Sequence, residues 1–268
     1  MLNKIAIVIP CFNAEKTILS TINSVIHQSI NNWDLIIHDN NSTDNTVKIL
    51  EKNYGKLFKK NIFLIKNKQF LSQAENWNRC LNSVHEYKYF KLLCADDTLE
   101  RDALKIQFNI LENSSENIFG VSNDINYIDI KNNIIKTRSY GFFGFEKYIS
   151  IFFRNYLGTP SGTLIKTKFL KNKKFSEAPY VGDMIFFLDF YQENKKLTFS
   201  KLKLINFRLH NDSSSLKLFG SNIMINGKHE FRYYAVNKYL NNNIFFMILT
   251  LIFNNLEKIY FKIFNFIK

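Results

Sequence analysis

The stretch FKLLCADD, residues 90–97, places two adjacent carboxylates directly after a short apolar segment. An apolar segment of this length predicts a buried strand. In open α/β sheets, ligands bind beyond the carboxyl ends of the strands. Asp96 and Asp97 are therefore candidates for holding a divalent cation, since hard carboxylate oxygens suit Mg²⁺ or Mn²⁺. Taken alone, the tripeptide ADD leaves a solvated loop or a helix cap equally open.

The residues before this stretch alternate between strand and helix patterns. Strands are predicted at 5–9, 33–38, 62–65 and 89–93, with helices at 15–27, 45–52 and 72–84. This order predicts a parallel sheet with helices on both faces, which is an α/β, Rossmann-like architecture.

After Asp97 the pattern is less regular. Helices are predicted at 99–111, 146–153 and 183–192, with strands at 118–130, 133–139, 163–165, 197–199 and 202–208. From about residue 216 the chain becomes helical and aromatic. The sequence contains no internal repeat and no low-complexity linker that would separate independent domains.

Composition limits the classes of protein that fit. The 268 residues carry a net charge of +13, and 46% are hydrophobic, so the chain is globular. The positive charge admits a nucleic-acid partner, but the lysines are scattered and no RNA-binding motif or zinc finger is present. Cys11, Cys80 and Cys94 lack metal-ligand spacing and predict reduced thiols in a cytoplasmic protein.

Two apolar runs bear on membrane insertion. Residues 5–10 are too short for the core of a signal peptide. Residues 244–253 are the apolar run that comes closest to a membrane span, and Asn254-Asn255 interrupts this run. No run reaches 18 apolar residues, so we expect no transmembrane helix.

Polar residues collect where the predicted strands end. The turn Pro10-Cys11-Phe12-Asn13-Ala14-Glu15 follows the first strand and has no glycine, which argues against binding of NAD or FAD. Asp39 ends the second strand. Asn76-Trp77-Asn78 lies on the third helix, Gly182-Asp183 begins a later helix, and residues 208–213 follow the last strand.

Together these segments resemble glycosyltransferase family 2, the inverting, nucleotide-sugar-dependent enzymes of GT-A fold. The matching pieces, in the family's order between about residues 4 and 215, are IVIPCFNAEKTI, DNNSTDNT, NWN, LLCADDTL, GTPSGTLI, YVGDMIFFLDF and FRLHNDSSS. The third piece departs from the common G-x-x-x-A-R-N version, because this chain has QAENWN at residues 73–78.

The resemblance implies a role for each candidate residue. A nucleotide-sugar pocket would be lined by Pro10, Phe12, Asn13, Glu15 and Asn76. Asp39 would accept a hydrogen bond from uracil, and Asp96 would approach the ribose or sugar. Asp97 would bind a Mn²⁺ or Mg²⁺ ion bridging the two phosphates, with His210 nearby as a further ligand. Asp183 would be the general base that takes the acceptor's proton.

Structural alternatives stay open for three of these residues. Asp183 follows a glycine at a helix start and could be an N-cap. His210 could be an ordinary residue at a strand end, and Asp39 could be only a turn residue with no contact to a ligand.

The tail from residue 216 has a pattern of its own. One predicted helix face consists of Leu256, Ile259, Tyr260, Ile263, Phe264 and Ile267, with Lys258, Lys262 and Asn265 opposite. This arrangement resembles an interfacial helix on an anionic membrane. Packing against the catalytic domain or a partner subunit is the alternative.

The expected protein is a cytoplasmic glycosyltransferase at the inner face of the membrane. It would move a hexosyl or N-acetylhexosaminyl group, with inversion, from a UDP-sugar to a lipid-linked or growing surface glycan such as lipopolysaccharide or capsule. Residues 1–98 would bind the nucleotide-sugar, residues 99–215 would bind the acceptor and catalyse, and residues 216–268 would form the tail. A homo-oligomer stays open. The alternatives are a nucleotidyltransferase acting on sugar phosphates and a non-catalytic basic protein that binds membrane or nucleic acid.

Overall fold

The computed structural model describes residues 2–58, 60–141, 144–153, 155–178, 181–210, 213 and 221–267, with side chains up to residue 262. Its first part alternates strands and helices as predicted. The elements are β1 (Leu2–Cys11), α1 (Ile18–Ile26), β2 (Trp33–Asp39), α2 (Thr46–Tyr54), β3 (Ile62–Lys66), α3 (Gln73–Asn82) and β4 (Tyr87–Leu92).

The second part mixes shorter and longer elements. They are β5 (Thr98–Leu99), α4 (Ala103–Glu112), β6 (Ile118–Ile128), β7 (Ile134–Arg138), α5 (Glu146–Phe152), β8 (Leu164–Lys166), α6 (Gly182–Gln192) and β9 (Lys196–Arg208). Two helices follow, α7 (Asn222–Tyr239) and α8 (Ile244–Ile267).

The nine strands of the described residues form one sheet. Its order is β3-β2-β1-β4-β8-β6-β9-β5, with β7 paired to β6 outside this path. Strands β1 to β4 are parallel to one another, whereas β8 is antiparallel to both of its neighbours. The α/β class with a mostly parallel sheet and flanking helices is confirmed.

Strand β1 shows why the apolar runs become central strands. Ile5, Ile7 and Ile9 pack into the core on one face of the sheet, while Ala6 and Val8 pack into the core on the other. Side chains alternate between the two faces of a strand, so a strand covered on both faces needs an almost unbroken apolar sequence.

Two differences from the sequence expectation concern β5 and β9. The helix predicted from residue 99 begins at Ala103. Leu99 instead lies in β5 and pairs with Ile205 of β9. The strands predicted at 197–199 and 202–208 are one strand, β9, which pairs with β6 in parallel. The register shifts between Asn123, paired with Ser200, and Asp124, paired with Lys203, so two residues of β9 lie between these pairs.

Helix α8 runs through Asn254 and Asn255, although the two residues interrupt the apolar run. Asn254 is buried, and its side-chain carbonyl accepts a 2.8 Å hydrogen bond from Arg232 on α7. By length and composition alone, Ile244–Lys262 is apolar enough to cross a membrane, and the expectation of no transmembrane helix stays a prediction.

Candidate active site

A cavity of about 1070 Å³ opens beyond the carboxyl ends of β1 and β4. Seven of the predicted site residues line it, namely Pro10, Phe12, Asn13, Asn76, Asp96, Asp183 and His210. Glu15, Asp39 and Asp97 are not part of the lining. The structure therefore places most of the candidate residues around one space, as the carboxyl edge of a parallel sheet should.

The turn after β1 is held by the turn after β2. Asn13 has a positive φ of 49°, and its backbone N–H donates to Ser42 Oγ at 3.0 Å. Its side-chain oxygen accepts from the backbone N–H of Thr43 at 2.8 Å. Glu15 Oε2 accepts from the backbone N–H of Asn45 at 3.0 Å. Asn13 and Glu15 thus fix the shape of the turn, whatever contacts they make with a ligand.

Asp39 is buried just behind this turn and is 3% exposed. Its Oδ2 accepts from the backbone N–H of Ser42 at 3.2 Å, and Cys11 Sγ lies 3.8 Å from its Oδ1. Both contacts suit a residue that shapes its own turn. The contact with uracil implied by the resemblance stays a prediction.

Aromatic and amide side chains form the wall beside the turn. Phe12 and Phe70 are well exposed and meet with ring centroids 4.8 Å apart. Asn76 is buried, and its side-chain oxygen accepts from Asn67 Nδ2 at 3.1 Å. Asn67 is in turn bound by Arg79 Nη1 at 3.0 Å. These amides support the wall from behind.

The two aspartates occupy different environments. Asp96 lines the cavity, and its Oδ2 lies 3.0 Å from Nε2 of His210. Asp97 is 1% exposed, and its Oδ1 accepts from the backbone N–H of Arg208 at 3.0 Å. Burial, reinforced by the neighbouring Asp96, raises the pKa of Asp97 well above its usual value. A buried carboxylate in this position needs a positive charge nearby.

Arg208 holds the aspartate loop in place, a role that sequence reasoning missed. The side chain is 2% exposed, and its Nε donates to the backbone carbonyl of Asp96 at 2.8 Å. Its Nη1 donates to the carbonyl of Asp129 at 2.8 Å. A single arginine at the end of an amphipathic strand carries no signal for contacts with residues 79 and 112 positions earlier.

The donor set fits a hard divalent cation. One ligand atom each from Cys94, Asp96 and Asp97 lies within 4.8 Å of the others. Asp97 Oδ2 is buried and has no hydrogen-bond partner among the described residues. Burial, then the two aspartates, raise the pKa of the Cys94 thiol well above its usual value, so it stays protonated and is a poor ligand. Carboxylate oxygens remain, and these suit Mg²⁺ or Mn²⁺.

Asp183 lies in the first turn of α6 and lines the cavity. Val181 occupies the N-cap position, so Asp183 is not the N-cap of this helix. Burial raises the pKa of its carboxyl to about 6, with hydrogen bonds from the backbone and the charge of Arg138 opposing the rise. Gly182 is required beside it, because a Cβ there would lie 2.5 Å from the carbonyl oxygen of Ser176.

Other lining residues gave no signal in the sequence. Arg138 stacks on Tyr140 with its guanidinium 4.8 Å from the ring centroid, and both line the cavity. Lys228 and Arg232 reach the cavity from α7. Each is an isolated basic residue in its segment, so only the folded arrangement reveals that they surround one space.

Comparison with known proteins agrees with this geometry. Residues 6–172 match Glycosyl transferase family 2, and the chain belongs to that family. The suspected resemblance is thereby confirmed. Asp183, Arg208 and His210 lie beyond the matched stretch, so the roles of Asp183 and His210 stay predictions.

Two relatives and one solved structure illustrate the likeness. An uncharacterized glycosyltransferase of Methanocaldococcus jannaschii is 28% identical over 174 residues, covering 65% of this chain and 59% of that protein. The Escherichia coli UDP-Glc:alpha-D-GlcNAc-diphosphoundecaprenol beta-1,3-glucosyltransferase WfgD is 32% identical over 133 residues, covering 49% and 48%. The chain thus spans only about half to three fifths of these relatives.

The structural likeness concerns the fold. S. aureus TarS 1-349 in complex with UDP-GlcNAc aligns with a TM-score of 0.68 at 16% identity, covering 88% of this chain and 67% of that one. The GT-A fold expected from the sequence is confirmed by this match.

Proposed function

We propose that this protein transfers a sugar from a UDP-sugar to a lipid-linked or growing surface glycan, with inversion at the anomeric carbon. The observation that carries the proposal is that Asp96 and Asp183 line the same cavity, with Asp97 buried behind Asp96. The donor and acceptor can then meet between a site for the diphosphate and a carboxylate able to accept a proton.

The donor half would work as follows. Asp96 and Asp97 would hold a Mn²⁺ or Mg²⁺ ion, which neutralises the charge that develops on the departing nucleoside diphosphate. Phe12 and Phe70 offer exposed aromatic faces to the nucleobase. His210, whose Nε2 lies 3.0 Å from Asp96 Oδ2, would be a further ligand of the ion, and Arg208 would hold the loop's backbone.

The acceptor half would need one proton acceptor. Asp183 would take the proton of the attacking hydroxyl as the new glycosidic bond forms. A single displacement of this kind inverts the anomeric configuration and requires no protein nucleophile. The pKa of about 6 leaves Asp183 largely ionised near neutral pH while keeping it basic enough to act.

The acceptor class is proposed from the relatives and from the tail. WfgD is named for transfer to a sugar on diphosphoundecaprenol, and TuaG of Bacillus subtilis, 30% identical over 107 residues, is named for teichuronic acid biosynthesis. The donated sugar would be a hexose or an N-acetylhexosamine. Such acceptors are made at a membrane surface, so the protein would act as a cytoplasmic, peripheral membrane enzyme.

Helix α8 supports this location. One face packs on the protein through Thr250, Asn254 and Phe261, which are buried. The rest of its surface exposes large apolar side chains, namely Ile244, Phe245, Met247, Ile248, Leu251, Ile252, Leu256, Ile259 and Tyr260. Lys258 and Lys262 are exposed beside them. An apolar surface flanked by lysines suits the interface of an anionic bilayer.

A panel of nucleotide-sugars tests the donor assignment. UDP-sugars with Mn²⁺ should raise Tm by several degrees, since a ligand at 100 times its Kd stabilises by about 2.7 kcal/mol. GDP-, ADP- and CMP-sugars should have little effect. The active donor is then incubated with a synthetic GlcNAc diphospholipid, and the anomeric configuration of the product is read by NMR. Stabilisation by none of the UDP-sugars, or a product with retained configuration, would contradict the proposal.

A further inference from the structure

Two basic residues of α7 also border the cavity. Lys228 and Arg232 are four residues apart, so they lie on the same face of the helix. Phe231, between them in sequence, also borders the cavity. None of these residues has a part in the steps described above.

Helix α8 holds both cations through one carboxylate. Lys228 Nζ lies 2.8 Å from Glu257 Oε1, and Arg232 Nη1 lies 2.7 Å from Glu257 Oε2. Asn254 also accepts from Arg232 Nη1 at 2.8 Å. Burial lowers the pKa of the neighbouring His229, so that imidazole is neutral near pH 7. Glu257 is thus shared between the two cations.

Arg232 is the more telling member of the pair. It is only 4% exposed, yet its Nε–H has no hydrogen-bond acceptor among the described residues. A buried guanidinium with an unused donor is costly unless an acceptor fills the place. Arginine binds phosphate strongly because its planar donors match the phosphate oxygens.

The surroundings indicate what carries the phosphate. Phe153 borders the cavity, is 59% exposed, and packs against Phe253 of α8 with ring centroids 4.6 Å apart. The exposed apolar surface of α8 continues from there through Ile252 and Leu256. A group bound at Lys228 and Arg232 would therefore have an apolar path beside it.

We infer that Lys228 and Arg232 form the subsite for the phosphate of a lipid diphosphate acceptor, whose hydrocarbon chain leaves along α8. The inference rests on the proposed function, and it adds the place where the acceptor's charged group binds. Glu257 has two functions in this arrangement, since it orients both cations and competes with the phosphate for them.

Farnesyl diphosphate serves as the probe, in equilibrium dialysis against protein saturated with UDP and Mg²⁺ so that the donor site is filled. Inorganic diphosphate and farnesol are measured beside it. Farnesyl diphosphate should bind at least about tenfold more tightly than either. Equal binding of inorganic diphosphate would overturn the lipid assignment, and equal binding of farnesol would overturn the phosphate assignment.

Substitutions of opposite sign separate binding from mere structure. Arg232→Gln and Lys228→Gln should each weaken farnesyl diphosphate binding about tenfold, the usual size for one charge-assisted hydrogen bond. Glu257→Gln should tighten it, because the competing charge is gone. Lys105→Gln, exposed on α4, is the control and should change nothing. Loss of binding in Glu257→Gln as well as Arg232→Gln would overturn the subsite.

Two further readouts keep the outcomes apart. The Tm of each variant is recorded, and Arg232→Lys, which preserves a charge opposite Glu257, replaces Arg232→Gln if the latter fails to fold. UDP binding is measured on the same samples. Wild-type protein that binds farnesyl diphosphate but not UDP would contradict the proposed function and leave the subsite standing.

Discussion

Asp96 and His210 are 114 residues apart in sequence, and their side chains meet at 3.0 Å between Oδ2 and Nε2. The contact joins the loop after β4 to the end of β9. The two aspartates lie in different environments. Asp96 lines the cavity and contacts His210, whereas Asp97 is buried and does not line the cavity. Carboxylates this close can both stay ionised only with a cation between or beside them.

Replacement of Asp97 tests the metal site. Asp97→Asn keeps the oxygen that accepts from the backbone of Arg208 but removes the charge. We expect metal-dependent UDP binding to fall at least about tenfold, with the Tm of the free protein unchanged or raised. Calorimetric titration with Mn²⁺ and with EDTA measures the difference. Asp102→Asn, an exposed aspartate just beyond the loop, is the control. Undiminished Mn²⁺-dependent binding by Asp97→Asn would remove Asp97 from the metal site.

Replacement of Asp183 tests the general base. Asp183→Asn preserves shape but cannot take a proton, so kcat should fall about 10²- to 10⁴-fold while the Kd for UDP-sugar changes little. Rapid-quench kinetics and calorimetry on the same preparation give the two quantities. Near-normal turnover would show that the carboxylate serves only the first turn of α6.

The pKa of Asp183 predicts two pH dependences of known sign. Because the base must be ionised, kcat should fall about tenfold per unit below pH 6. The folded-state pKa lies above the ordinary value of 3.8, so the folded protein holds this proton more tightly than the unfolded chain. The contribution of Asp183 to the free energy of unfolding is therefore favourable at low pH and is lost as pH rises through 6. Asp183→Asn should therefore have a higher Tm than wild type at pH 7.5, with the difference vanishing near pH 4.

The exposed surface of α8 predicts membrane binding that survives salt. Deleting α8 would strip Arg232 of Glu257 and Asn254, so surface substitutions test this cleanly. The triple variant Ile248→Ser, Leu251→Ser, Leu256→Ser should lose at least about 100-fold in affinity for anionic vesicles. Asn255→Ser, exposed on the same helix, should bind as wild type does. Co-sedimentation at two salt concentrations measures this, and equal binding by the triple variant would exclude membrane contact through this surface.

Replacement of Gly158 by alanine should destabilise the protein strongly. Its φ is +114°, and a Cβ there would lie 2.0 Å from Ser122 Oγ. Gly158→Ala should lower the free energy of unfolding by about 3 kcal/mol and disturb the Thr159–Ser161 lining of the cavity. Gly55→Ala is the matched control, because nothing lies within 4 Å of its Cβ and no change or a slight gain is expected. Urea unfolding of the two variants gives the comparison.

The sequence was most informative where local pattern decides the structure. The apolar run of β1 predicted a buried strand, since burial on both faces leaves few polar positions. Helix and strand boundaries that depend on residues distant in sequence were harder to predict. Leu99 has the helical pattern of its neighbours but pairs with Ile205, and no local rule anticipates that pairing.

The residues of the candidate site likewise fall into those that local pattern predicted and those that it did not. Strand ends brought Pro10, Phe12 and Asp96 to one edge, as the alternation of strands and helices predicted. Burial of Asp39 and Asp97 behind the lining was not predictable, because it depends on how the loops fold over the strand ends. Arg208, Arg138 and Arg232 likewise gained their positions from contacts that only the assembled fold provides.

The antiparallel pairing of β5 with β9 has a consequence for the order of synthesis. The backbone N–H that binds Asp97 belongs to Arg208, 111 residues later in the chain. On the ribosome, the strands β1 to β4 emerge and can pair long before that residue is made. A nascent chain that stops short of Arg208 therefore has the residues of the parallel strands but lacks the groups that hold its aspartate pair. Closing so long a loop is slow, so we expect the loop that carries Asp96 and Asp97 to become ordered late in folding.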